Sequence, residues 1–240
     1  MDSQDLDDEF PSLLEHISTH WPEISDQLQF ALRYARAIHA YLRVLIKNPH
    51  DAEDVAQAFL LHTLHQPFRP ERIQTGRFRD YLKGALRLTA ITHFRTARRL
   101  PVVYNIEVFP AENFAEAELA WNDEWRNGLL QRTWEGLEQL ERDAPEGLAY
   151  TVLRLATDFP DEDSASLAQR ASERTGRSIQ ASAFRKQLSR ARRHFAGILL
   201  KTLRQTLSDP TADEVLDELK LTGLMPFVRD YLADEYRDRA

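Results

Sequence analysis

From Phe30 to Ile46, apolar side chains return every three or four residues, with Leu32, Ala35, Ile38, Leu42 and Leu45 on one face. That period belongs to a helix, because a strand repeats every two residues. The same period recurs along the chain, and no stretch alternates in twos. Leu, Ala, Arg, Glu and Gln are abundant and only 8 Gly occur in 240 residues, which suits helices. The expectation is an all-α protein.

Breaks in the period divide it. Asn48-Pro49-His50 ends the first helix, since proline cannot continue one. Asp51-Ala52-Glu53-Asp54 opens a second with acids where the helix dipole favours them, and its apolar positions Val55, Ala56, Phe59, Leu60 and Leu64 run to about His65. After a loop from Gln66 to about Gly76, a third helix is predicted over Phe78–Arg99. Phe78, Leu82, Ala85, Leu86 and Thr89 face inward, and Arg79, Lys83 and Arg87 form a basic stripe on another face. Residues 101–120 are acidic and read as an irregular linker. Trp121, Trp125, Leu129, Trp134, Leu137 and Leu140 then open a second helical domain, followed by a helix over Pro145–Thr157. The acidic turn 158–163 caps a short helix, Ser164–Thr175, which Gly176 closes. The next helix starts between Ser178 and Ser182 and reaches about Leu207. Its inner face is Phe184, Leu188, Ala191, Phe195, Ile198 and Leu199. Its outer face is Arg185, Lys186, Ser189, Arg190 and Arg193. Short helix, glycine turn and long basic helix form the layout of a helix-turn-helix. The predicted organisation is an extension (1–27), a helical domain (28–100), a linker (101–120), a second helical domain (121–207) and a helical C-terminal extension (208–240).

The net charge of −7 conceals a sorting of charge along the chain. Residues 1–30 carry eight acids and no Lys or Arg, and residues 105–147 carry eleven acids against three Arg. Between them, residues 69–99 hold nine Lys/Arg against Glu71 and Asp80, and residues 176–205 hold eight Lys/Arg and no acid. Two basic islands in an acidic chain suggest two polyanion-binding surfaces. The acidic flanks stand where they can screen those islands. Without cysteine, disulfides and thiolate metal sites are excluded. The sequence starts acidic, where a signal peptide would have a basic start and an apolar run, and no run approaches the roughly 18 apolar residues of a membrane span. A cytoplasmic protein without membrane insertion is expected.

Enzymatic chemistry is sparse. The chain has no phosphate-binding loop, no dinucleotide-binding glycine pattern and no HExxH. His16 with His20 and His62 with His65 have metal-compatible spacing but lack an evident third ligand. Asp51, Glu53 and Asp54 have no partnering pocket that would make them an acid/base site. Trp121, Trp125 and Trp134 lie on the apolar stripe of an acidic segment, so they read as core. No metal, cofactor, catalytic residue or small-molecule substrate is expected.

Three stretches together resemble the extracytoplasmic-function class of sigma factors, of the sigma-70 family. Asp51-Ala52-Glu53-Asp54-Val55-Ala56-Gln57-Ala58-Phe59 is similar to that class's DAEDxxQxxF signature, with Ala58 where an acid is commoner. Gly76-Arg77-Phe78-Arg79-Asp80-Tyr81-Leu82, continuing through Ile91 to Arg99, resembles the helix that reads and melts the −10 element. Tyr150 to Phe195 looks like the C-terminal helix-turn-helix that reads the −35 element. The resemblance covers about residues 28–205.

It implies a non-enzymatic subunit that directs core RNA polymerase to promoter DNA and is silenced by an inhibitory anti-sigma protein. By position, Asp51, Glu53, Asp54, Gln57 and Phe59 would dock on polymerase. Arg77, Arg79, Lys83, Arg87, His93, Arg95, Arg98 and Arg99 would face the −10 element. Ser182, Arg185, Lys186, Ser189, Arg190 and Arg193 would face the −35 element. Two other readings share the same features. One is a helix-turn-helix regulator that never joins polymerase, and the other is a helical adaptor whose basic islands meet acidic proteins.

Overall fold

The computed structural model describes residues 27–65, 78–98, 109–207 and 210–232. All the regular structure among them is helical: α1 (Gln27–Leu45), α2 (Pro49–His65), α3 (Phe78–Arg98), α4 (Ala111–Asp143), α5 (Ala149–Asp158), α6 (Ser164–Thr175), α7 (Ala181–Arg204), α8 (Ala212–Leu221) and α9 (Met225–Val228). A 3₁₀ turn, Arg229–Tyr231, follows. The chain divides into two compact units, with the boundary at Trp125/Arg126, inside α4.

In the first unit, α1, α2 and α3 pack against one another. Asn48 starts α2 by accepting the His50 N–H at 3.0 Å, and Pro49 takes the first helical position, where its missing donor costs nothing. The core is Ile38, Tyr41, Leu42 and Leu45 from α1, Ala52, Ala56 and Phe59 from α2, and Leu82, Leu86 and Ala90 from α3. The start of α4 closes it with aromatic contacts. Tyr34 stacks on Trp125 at 5.1 Å, and Tyr41 meets Trp121 edge-on at 6.2 Å.

In the second unit, α5, α6 and α7 pack mutually. Leu129 and Leu137 of α4, Val152 of α5, Leu167 and Ala171 of α6, and Phe184, Ala191 and Leu199 of α7 are buried. Local chemistry sets the helix ends. The Asp163 carboxylate accepts the N–H groups of Ser166 and Ala165; the bonding from Ser166 first, and then from Ala165, holds its pKa below the usual carboxylate range and caps α6. Gly176 ends α6 at φ 69°, a left-handed conformation that glycine adopts without a Cβ penalty. Ser172 Oγ accepts the Ile179 N–H at 2.9 Å and so fixes the turn into α7. Thr211 and Glu214 form a reciprocal capping box at the start of α8. Both α9 and the 3₁₀ turn pack against α7.

Gly136 marks a close approach of α4 to α7. A Cβ built there would lie 2.9 Å from Ile198 Cγ2, a stiff β-branched methyl. Alanine would gain about 0.5–1 kcal/mol of helix propensity, but overpacking costs about 1–3 kcal/mol, so the clash wins. Gly136→Ala should therefore lower stability in denaturant titration. Adding Ile198→Ala should remove the clash component, so that the two changes are not additive.

The second helix starts at Pro49, two residues before the expected Asp51, and two other boundaries differ more from the sequence-based expectation. Residues 111–120, read as irregular, are the first third of the 33-residue α4. The stretch Ala111-Glu112-Asn113-Phe114-Ala115-Glu116-Ala117-Glu118-Leu119-Ala120 consists mostly of strong helix formers with no internal Gly or Pro. Its acidity masked that propensity. The helix expected from Pro145 begins only at Ala149. Gly147 N–H closes a turn on the Ala144 carbonyl at 3.1 Å, and Leu148 stands at φ 48°, outside helical space. Glu141 then accepts the Thr151 N–H at 2.7 Å, supplying one of the donors' partners from another helix.

Candidate partner and nucleic-acid interfaces

One side of α2 is solvated. Ala52, Val55, Ala56, Phe59 and Thr63 turn inward, whereas Glu53, Asp54, Gln57, Ala58 and Leu61 are exposed. Phe59 is only 3% exposed, so it is not available as a partner contact. It stands three and seven residues after the buried Ala56 and Ala52, on the core face of the helix. The acids have local neighbours. His39 Nδ1 lies 3.2 Å from Glu53 Oε2, His93 Nε2 lies 3.9 Å from Asp51 Oδ2, and Gln57 donates to Glu53 Oε1 at 3.2 Å. Asp54 is left on the outermost line with Gln57, Ala58 and Leu61. Sequence reading missed Leu61, which is 55% exposed and falls seven residues after Asp54.

The basic stripe of α3 is not an open face. Arg79 and Lys83 are buried. Lys83 pairs with the Glu118 carboxylate and with Asp80. Arg87 donates from its NH2 group to Glu118 Oε1 at 2.8 Å and from Nε to the Tyr41 hydroxyl at 2.8 Å. Its guanidinium also lies 5.0 Å from the centre of the Phe114 ring, within cation–π range. Burial pushes the Tyr41 hydroxyl up to about 12, against the opposing influence of Arg87. Burial works against the Arg87 cation, but its bonds to Tyr41 and Glu118 prevail and raise its pKa. The cause is the helical start of α4, which places Glu118 where a linker was expected. His93 and Arg95 are half-buried toward the end of α3. Arg77, Arg99 and the side chain of Arg98 lie outside the described residues.

On α7 the expected pattern is present. Phe184, Ala191, Phe195 and Leu199 anchor the helix, and Ser182, Arg185, Lys186, Ser189, Arg190 and Arg193 are all exposed. Leu188 and Ile198, also read as inner, are half-buried. Among the described residues, none of these four cations makes an ion pair, in contrast to Lys83 and Arg87. Arg192, exposed one helical repeat (seven residues) after Arg185, extends the basic surface and was overlooked. The turn ahead of α6 is braced by Arg170, which forks onto Glu162 at 2.6 and 2.7 Å and lies 4.0 Å from the Phe159 ring centre.

Two surfaces of opposite character therefore exist: an acidic and polar line on α2, and an uncovered cationic face on α7. Among the described residues, no group of three or more His, Asp or Glu is placed to hold a metal, and no helix is long and apolar enough to cross a membrane. Residues 30–100 match the family model for sigma-70 region 2. The region 2 match contains α2, α3 and most of α1, and it supports a sigma-70 family sigma factor. Sigma-70 region 2 binds core RNA polymerase and −10 promoter DNA, and proteins of that family are transcription factors, not enzymes. Comparisons with curated proteins and with solved structures give no match.

Proposed function

We propose that this chain is a sigma factor of the extracytoplasmic-function class that carries core RNA polymerase to promoters with matching −10 and −35 elements. The observation that carries this reading is the combination of the region 2 match with the exposed cationic face of α7 in one chain. In this reading, the outer line of α2 meets a basic surface of polymerase, with Asp54 and Gln57 at its centre. Electrostatic complementarity of that kind sets orientation and partner choice. The −10 contacts fall to the end of α3, through His93 and Arg95, with Arg98 and Arg99 just after them in sequence and Arg77 just ahead of the helix. Helices α6 and α7 act as the helix-turn-helix of the −35 element, with α7 in the major groove. Arg there can fork onto guanine, and Ser can bond to several base edges. An inhibitory anti-sigma protein would hold the factor silent by covering these surfaces, and the factor would act in the cytoplasm.

The deciding experiment is transcription by purified core polymerase on a promoter library, with and without the chain. Selective initiation at a shared pair of elements is expected. No polymerase binding and no selected promoter would overturn the reading in favour of a free-standing regulator or adaptor.

Alanine substitutions on α7 should separate two kinds of contact. Loss of an Arg that touches a base should cost about 1–3 kcal/mol and relax preference at one position. Loss of an Arg or Lys that touches phosphate should weaken all sequences alike and make the salt dependence shallower by about one unit. Binding titrations of Arg185→Ala, Lys186→Ala, Arg190→Ala and Arg193→Ala against a duplex library would sort them. Unchanged binding in all four would exclude α7 as the reader.

A further inference from the structure

We propose that Lys83, Arg87 and Tyr41 form a latent phosphate-binding site for single-stranded nucleic acid, occupied in the free chain by the Glu118 carboxylate of α4. The inference rests on the reading that α3 works against DNA, and it assigns to the first turns of α4 a role as an internal competitor.

The geometry is that of an anion site. Lys83 and Arg87 are four residues apart, one above the other on the same helix face. Glu118 gives one carboxylate oxygen to each: Oε2 to Lys83 Nζ and Oε1 to Arg87 NH2. Two oxygens held by a lysine and an arginine are what a phosphodiester also offers through its two non-bridging oxygens. Arg87 does not depend on Glu118 alone for its position, because the Tyr41 hydroxyl of α1 also holds the guanidinium, by accepting from its Nε. The site would therefore persist when the carboxylate leaves. It also has an open edge: the Arg87 side chain is 43% exposed and that of Glu118 is 27% exposed. An incoming phosphate can approach from that edge, and replacing one anion by another leaves neither cation buried and unpaired, a state that would be costly.

Among the described residues, the exposed cations on α7 have no such occupant. The two basic islands therefore differ in kind, one exposed on its helix and the other exchanging an internal acid for an external one. At high strand concentration, whether local or bulk, the exchange favours the strand.

The test uses the full chain and a fluorescent oligothymidylate, without polymerase. Glu118→Gln should bind the oligonucleotide on the order of tenfold more tightly at low salt. Its salt dependence should steepen by about 0.7, the contribution of one single-strand phosphate contact. Glu116→Gln removes the same charge from an exposed position on the same helix and should produce no comparable gain. Adding Arg87→Gln to Glu118→Gln should return the affinity toward wild type. Equal affinity and slope in wild type and Glu118→Gln overturn the proposal, as does a gain that survives Arg87→Gln or is matched by Glu116→Gln. If Glu118→Gln loses its helical circular dichroism, hydrogen exchange of the wild-type chain decides. Saturating oligonucleotide should accelerate exchange over residues 111–120, and unchanged protection there overturns the proposal. Failure of the promoter reading shows elsewhere, as absence of polymerase-dependent initiation by the wild-type chain.

Discussion

Asp54→Lys combined with Gln57→Ala is expected to abolish co-purification of the chain with core RNA polymerase and leave its helical content unchanged. Both side chains are exposed on α2, and neither contributes to the core of Ala52, Ala56 and Phe59. The fold therefore has little reason to respond. At an interface, losing one partner of a hydrogen-bonded charge pair costs about 2–5 kcal/mol. That corresponds to roughly a thirtyfold to several-thousandfold weaker complex. Charge reversal adds repulsion to the loss, so the upper part of the range is expected. Affinity capture with core polymerase, with circular dichroism as the fold control, measures both halves of the expectation. Intact binding would remove α2 as the docking element.

The largest effect on stability is expected at Trp121. It is fully buried, and it meets Tyr34 with ring centres at 6.3 Å and Tyr41 at 6.2 Å. Truncating a buried tryptophan costs about 3–5 kcal/mol, against a total stability of about 5–15 kcal/mol for a domain. Trp121→Ala should therefore shift the denaturant midpoint of the first unit strongly, while Leu119→Ala on the exposed side of the same helix should barely move it. A loss below about 1 kcal/mol, the size of an ordinary substitution, would show that the aromatic contacts do not hold α4 in place.

The sequence was most legible where one face had to be apolar and the other was free. The period of α1, α2 and α7 located the helices, and Asp163 and Gly176 marked the ends of α6 to the residue, because a cap and a left-handed glycine have few substitutes. It was least legible where polar groups do core work. Arg79, Lys83 and Glu118 look solvated in a one-dimensional reading, but Glu118 neutralises Lys83 from a helix 35 positions away in the chain. A stripe of charge carries no sign of whether water or an opposite charge will cover it. The same limit explains Phe59, whose place within a signature suggested a contact surface although its helical phase put it in the core. Acid-rich 111–120 misled in the opposite direction, since a high density of carboxylates says nothing against a helix built from Ala and Glu.

The packing of α9 and the following 3₁₀ turn against α7 bears on how the part proposed to read DNA can be exchanged between proteins. Leu224, Met225, Val228 and Leu232 are buried in that C-terminal stretch, and Gly223 turns the chain into it at φ 68°. A chimera that transplants only α5, α6 and α7 would carry a basic helix with a bare, greasy back, and it would face self-association before it met any promoter. The transplantable cassette extends to Leu232, and the last residues of the reader's structural module come well after the last residue that touches DNA in this reading.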